Sequence, residues 1–153
     1  MTHKLKEIII PKDKAVFWLD KNGCWHNQHG KFQHKKIVDY FHASIRKDMD
    51  GYYLSQTTED YKEKVYFHYE DTALFVFDLI KDNDITLVLN TGRKIKLKPR
   101  KMLMQGDGLY LHVEDERIKF VERGLLKISD LIEIDGASYF IKVKNRRYKI
   151  QTS

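Results

Sequence analysis

"HKKIVDYFHASIRKDMDGYYLSQ", residues 34–56, carries two hydrophobic periods in turn. Through residue 47, Ile37, Val38, Phe41 and Ile45 fall at i, i+1, i+4 and i+8, one apolar stripe of an amphipathic helix. Asp50-Gly51 breaks that pattern, and "GYYLSQ" opens a run with period two. A helix that yields at Asp-Gly to an aromatic strand makes the chain α+β.

The flanks extend the reading. Upstream, "AVFWLDKNGCWHN" (15–27) places apolar and aromatic residues on both sides of Asn22-Gly23. An Asn-Gly pair supplies the positive φ angles of a tight type I′ turn, so this is a hairpin. A further turn at His29-Gly30 leads into the helix. Downstream, "EKVYFHYE", "TALFVFDLI", "ITLVLN" and "KIKLK" continue the strands as an antiparallel meander. "ALFVFDLI" is nearly continuous apolar and suits a central strand buried on both faces. In "RKIKLK", Lys94, Lys96 and Lys98 share one face while Ile95 and Leu97 take the other. After the charged joint Pro99 to Lys101, "GLYLHV" and "RIKF" read as short strands. "ERGLLKISDLIE" is a second helix with Leu125, Leu126 and Ile132 facing inward and Gly124 weakening its first turn. "ASYFIKV" and "RYKI" close the chain as a hairpin around Asn145-Arg146.

A repeat emerges at a shift of 85 residues, which aligns Gly23 with Gly108, Ser44 with Ser129, Asp50 with Asp135 and Gly51 with Gly136. The expected architecture is two repeated strand–helix–strand units around a mainly antiparallel sheet or meander. It forms a single compact domain over 1–153 with two subdomains. Residues 15–98 hold the first repeat and the meander, and 102–153 the second, shorter repeat.

Composition narrows the function classes. Of 153 residues, 42% are hydrophobic, enough for a real core. The longest apolar runs are too short to cross a bilayer, so no membrane partner is expected. "MTHKLKEIIIPKDK" lacks the longer apolar core and small-residue cleavage site of a secretory signal. The single Cys24 cannot close an intramolecular disulfide, and a reducing cytoplasm is the expected compartment. The net charge of +6 is uneven. Residues 1–47 hold 10 Lys/Arg against 4 Asp/Glu, residues 48–84 hold 3 against 10, and residues 85–153 hold 15 against 8. An acidic middle between basic ends can pair internally or between subunits, which leaves a homodimer open.

With these elements in order, "G-C-W-H", "IVDYFHASI", "DGYYL" and "YFHYEDTALFVF" together resemble an uncharacterised bacterial domain-of-unknown-function family with a related mitochondrial group. Its members carry a Gly-x-Trp-Tyr/His start, a short apolar-plus-Phe helix, and Glu-Asp-x-Pro/Ala leading into a central strand. The likeness spans Phe17 to Ile150 and departs at Thr72-Ala73-Leu74, where the family often has Ala-Pro-Phe. It implies an α+β fold of repeated motifs and a signalling role, and it supplies no catalytic residues.

Three groups of side chains are candidates for chemistry. Cys24, His26 and His29 bring thiolate and imidazole together, which is zinc chemistry, although C-x-H-x2-H matches no closed structural site. Cys24 as a nucleophile with His26 as its base still wants an oxyanion pocket. His68 and Glu70 share a strand face, and with Trp25 and His26 they form a candidate ligand pocket; against it stands a plain turn capped by Asp71. Arg93, Lys94, Lys96 and Lys98, with Arg146 and Arg147, form a candidate anion site. The Lys-Ile-Lys-Leu-Lys alternation equally suits a solvated edge strand, and no nucleic-acid motif accompanies it, which argues against nucleic acid as partner.

Signatures of phosphate-loop nucleotide hydrolysis, dinucleotide binding, serine hydrolysis and zincin proteolysis are absent, and no cofactor is expected. The sequence favours a cytoplasmic, non-enzymatic binding or regulatory module that recognises a small ligand or a protein partner between its repeats. A metal-dependent enzyme using Cys24, His26 and His68, and an anion or nucleic-acid binder using the 93–101 strand, are the alternatives.

Overall fold

The helix expected over residues 34–47 runs only from Lys35 to Ala43 in the computed structural model, which describes residues 5–153. Ser44 stops it by turning its hydroxyl back onto the Tyr40 carbonyl, at 2.7 Å. Ile45 then opens a strand, pairs with Leu54 and is 4% exposed. Burial of a β-branched side chain in a sheet outweighs another helical turn here. The buried residue that the apolar stripe omits is His42, 2% exposed.

The chain divides into two compact units, Met1–Ala73 and Leu74–Ser153. Strand makes up 53% of the described residues and each unit holds one α-helix, so the class is α+β. The division falls at the start of the strand Leu74–Lys81, which pairs with later strands.

The first unit contains β1 (Lys6–Ile10), β2 (Phe17–Leu19), β3 (Trp25–Asn27), β4 (Gly30–Lys31), α1 (Lys35–Ala43), β5 (Ile45–Asp48), β6 (Gly51–Thr57), β7 (Tyr61–Tyr66) and β8 (His68–Tyr69). One sheet has the order β1-β7-β6-β5, with β1 parallel to β7 and the other pairs antiparallel. The other has the order β4-β3-β2-β8. "EKVYFHYE" therefore does not form one strand of a meander. It breaks at the fully buried Phe67, and β8 crosses to lie parallel to β2. Phe17, Trp25, Phe41 and Phe67 cluster on the inner face of that small sheet, with ring centroids 5.0–5.8 Å apart for Phe17–Trp25, Trp25–Phe41 and Trp25–Phe67.

The β2–β3 hairpin also departs from expectation. A type I′ turn needs positive φ at both Asn22 and Gly23, yet only Gly23 has it, at 82°. The Gly23 N–H donates to the Asp20 carbonyl, and the Asp20 N–H donates to the Cys24 carbonyl. The loop thus has three residues, Lys21 to Gly23, with the glycine in the left-handed position. The register pairs Leu19 with Trp25 and Trp18 with His26. A two-residue loop would slip that register by one and set Leu19 against His26, mixing the buried and exposed faces.

The second unit contains β9 (Leu74–Lys81), β10 (Ile85–Leu89), β11 (Lys94–Lys96), β12 (Met102–Gln105), β13 (Gly108–Val113), β14 (Glu116–Phe120), α2 (Glu122–Ser129), β15 (Ile132–Asp135), β16 (Ser138–Val143), β17 (Arg146–Lys149) and β18 (Gln151–Thr152). Its main sheet has the order β11-β10-β9-β14-β13-β12-β18, in which β9 is interior, as its apolar run requires, and parallel to β14. Leu74, Phe75 and Val76 are all buried, so both faces of β9 are covered at that end. A smaller sheet, β15-β16-β17, closes through the turn Lys144-Asn145. Both turn residues have positive φ, one residue earlier than the sequence places the turn.

The second helix faces inward through Gly124 and Ile128, not Leu125 and Leu126, which are 39% and 72% exposed. A β-carbon on Gly124 would lie 2.2 Å from the Val76 carbonyl oxygen. Gly124 is therefore the point at which α2 approaches the backbone of β9.

Candidate functional site

The chemistry-bearing residues of the first unit gather on the outer face of the sheet β4-β3-β2-β8. Strand alternation sends Phe17, Leu19 and Trp25 inward and Trp18 and His26 outward. Because β8 lies parallel to β2, His68 joins the same row beside Trp18. The row His26–Trp18–His68 thus crosses three strands. Asp20 flanks it, from the position two residues after Trp18.

Two members of the row, His26 and Trp18, are held in place by their neighbours. His26 Nε2 lies 2.7 Å from Asp20 Oδ2, and the Trp18 indole stacks on the imidazole with centroids 5.7 Å apart and planes 8° from parallel. The other Asp20 oxygen accepts the backbone N–H groups of Asn22 at 2.8 Å and Cys24 at 2.9 Å. Burial works against the Asp20 carboxylate, but the His26 bond and these two amides outweigh it and hold its pKa below the usual carboxylate value. Asp20 therefore closes the turn and orients His26 at once. Glu70 accepts the Lys21 N–H at 3.0 Å and donates its own N–H to the Leu19 carbonyl, so it ties β8 to the same turn. Trp18 stays 38% exposed.

The sequence-derived ligand set is only partly brought together. His26, His68 and Glu70 belong to the outer row and its margin, but Trp25 points to the opposite face and is 1% exposed. Its indole N–H donates to His42 Nδ1 at 3.3 Å. An indole nitrogen can only donate, so the neutral His42 ring carries its proton on Nε2, with the Gly23 backbone as its partner. Burial pushes the His42 pKa down to about 4, against the smaller opposing effects of Asp39 and Gly23. Cys24 is half-buried at the end of the hairpin loop. His29 is exposed on the β3–β4 turn, where its N–H caps Asn27 Oδ1. Among the described residues no group of three or more His, Cys, Asp or Glu side chains is arranged to hold a metal ion, so Cys24, His26 and His29 do not converge as a ligand set.

Trp18 and Asp20 are the residues that sequence reasoning passed over. The signal that would have found them is the hairpin register, which only a three-residue loop sets correctly.

The basic candidates separate into two places within the second unit. Arg93 pairs with Glu116 at 2.8 Å and Lys96 with Asp84 at 3.3 Å. With Lys98 they line a groove of about 380 Å³ that Glu114 and Glu116 also line, so its charge is mixed. Lys94 lies on β11, the edge strand of the seven-stranded sheet, and is exposed, as a solvated edge requires. Arg146 and Arg147 line a different cavity with Arg100 and Tyr148.

No protein-family model matches the chain, and no curated protein does. Two solved structures are similar to it. A DUF1285 family protein from Silicibacter pomeroyi DSS-3 has a TM-score of 0.62 and 16% identity, over 97% of this chain and 85% of that one. A DUF1285 family protein from Shewanella baltica OS155 has a TM-score of 0.51 and 18% identity, over 75% of this chain and 91% of that one. Both neighbours are bacterial domain-of-unknown-function proteins, in keeping with the family resemblance read from the sequence, and the likeness establishes the fold. No helix among the described residues is long and apolar enough to cross a membrane.

Proposed function

We propose that the chain is a non-enzymatic binding module that recognises a small ligand or a protein partner through the Trp18–His26–His68 row of its first unit. The observation that carries this reading is the half-exposed Trp18 indole, stacked flat on an imidazole that Asp20 holds. Large aromatic side chains that are rigid before binding contribute contact area at low entropic cost. Nucleophilic catalysis would ask more of the site, namely a nucleophile within hydrogen-bond reach of His26. The single cysteine supports a reducing, cytoplasmic compartment, and the family resemblance supports a place in signalling.

The two units also read as copies of one plan. Each runs hairpin, helix, three antiparallel strands in sequence order. The aligned serines support this, because Ser44 bonds the Tyr40 carbonyl and Ser129 the Leu125 carbonyl, each closing its helix.

The test is a fragment screen read by NMR, where the Trp18 and Trp25 indole N–H signals report separately on the outer and inner faces. Ligands are expected to shift the Trp18 signal, and Trp18→Ala is expected to lose them. Turnover of any screened compound that His26→Ala abolished would overturn the reading. So would ligands that all leave the Trp18 signal unmoved.

A further inference from the structure

At the open edge of the sheet β15-β16-β17, a cavity of about 290 Å³ is lined by Arg100, Arg146, Arg147, Tyr148, Lys149 and Gln151. Among the described residues, no carboxylate lines it. Arg147 is already neutralised, by Glu133 at 3.2 Å and Asp135 at 3.7 Å. Among the described residues, Arg100, Arg146 and Lys149 have no such carboxylate, which leaves three uncompensated positive charges around one concavity. Like charges gathered in this way repel one another, and an anion between them relieves that repulsion.

The cations are also held in place. The guanidinium carbons of Arg100 and Arg146 each lie 5.2 Å from the centroid of the Tyr148 ring. Arg100 sits in the short 3-10 turn Pro99–Lys101, where proline restricts the backbone. The strand supplies further donors. The Ile150 N–H bonds the Tyr139 carbonyl, and alternation along the ladder then turns the amides of Arg147 and Lys149 away from β16, toward the open edge. Guanidinium forks and outward backbone N–H groups are the donor types that match phosphate oxygens. Two guanidiniums already lie over Tyr148, so the ring serves to gather positive charge at the site.

We infer that this cavity binds the phosphate groups of a small phosphorylated ligand carrying two or more negative charges. It lies apart in sequence from the Trp18 row, and neither reading depends on the other.

Pyrophosphate is the probe, titrated by calorimetry into the full chain at constant ionic strength set with chloride. The wild type is expected to bind it saturably. Arg100→Gln and Arg146→Gln should each weaken it by about tenfold or more, as loss of a charge-assisted donor does. Lys142→Gln, an exposed cation on β16 outside the cavity, should leave it unchanged. A second arm uses phosphatidylcholine vesicles with and without phosphatidic acid. Binding that pyrophosphate displaces supports the site and places the phosphate on a lipid headgroup; pyrophosphate binding without vesicle binding supports it and places the phosphate on a soluble molecule. The inference fails if the Arg100→Gln/Arg146→Gln double variant, folded by circular dichroism, binds pyrophosphate as the wild type does. It fails equally if Lys142→Gln weakens binding as much as the cavity variants, because the attraction would then be diffuse charge.

Discussion

At the scale of single residues, His42 shows how position overrides composition. The sequence offers seven histidines, and nothing in their spacing distinguishes the one that is sealed inside. Its place one position beyond Phe41 on α1 carries it under the β2–β3 hairpin, where Trp25 donates to it. The folded ring has a pKa near 4, against 6.5 when unfolded. Above pH 6.5 the ring is neutral in both states and has no effect on the balance. Between 6.5 and 4 the unfolded chain takes up a proton that the folded chain refuses, so stability falls as pH falls and levels off below 4. The full loss is on the order of 3 kcal/mol. Denaturant melts from pH 8 to 4 should show this decline, and His42→Gln should flatten it while reducing stability at pH 8 by about 1 kcal/mol. An unchanged slope in that variant would show that another group titrates there. Trp18 illustrates the converse. It reads as one more aromatic of a hairpin, and only the register reveals it on the outer face beside His26.

At the scale of elements, the periodicities locate both helices and most strands, but ends and faces depend on partners. The helix period runs on to Ile45, and the residue leaves the helix because Leu54 offers it a buried neighbour in a sheet. The second helix carries a glycine that propensity alone counts as a defect of about 1 kcal/mol. Docking reverses the sign of that effect, since α2 meets the Val76 carbonyl at Gly124. Gly124→Ala should therefore destabilise the protein by roughly 1–3 kcal/mol, the cost of forcing two backbone segments apart. Chemical denaturation measures it, and a variant more stable than the wild type would show that the helix sits farther from β9. The lysines of "KIKLK" were legible as an edge, because alternating charge on a short strand is how edges avoid further pairing. The meander was legible only in pieces, because period two states that a residue run is a strand and does not state which strand it joins.

At the scale of the whole molecule, the uneven charge finds internal partners. Asp78 lies 2.8 Å from Lys127, and Asp84 lies 2.6 Å from Lys144 and 3.3 Å from Lys96. These bonds hold both carboxylates below their usual pKa, as His26 and two amides do for Asp20. Their stabilisation is complete above pH 3.8 and is lost as pH falls through the depressed folded values. Acid unfolding should thus have two stages, an upper one from His42 and a lower one below 3.8 from the aspartates. Added salt should weaken the contribution of the exposed pairs to the lower stage, which melting at about pH 3 and pH 5 over a salt series would check. A lower stage insensitive to salt would assign it to the part-buried Asp20 instead. Taken alone, the sequence determined the class, the two helices, the interior character of the "ALFVF" strand and the hairpin around Asn22-Gly23. Those features follow from local propensity and period, which any chain segment expresses by itself. The tertiary structure alone decided the sheet partners, the helix ends, the burial of His42 and the convergence of Arg100 with Arg146 and Tyr148. These depend on contacts between residues far apart in the chain, and the free energy that selects among such contacts is absent from any local window.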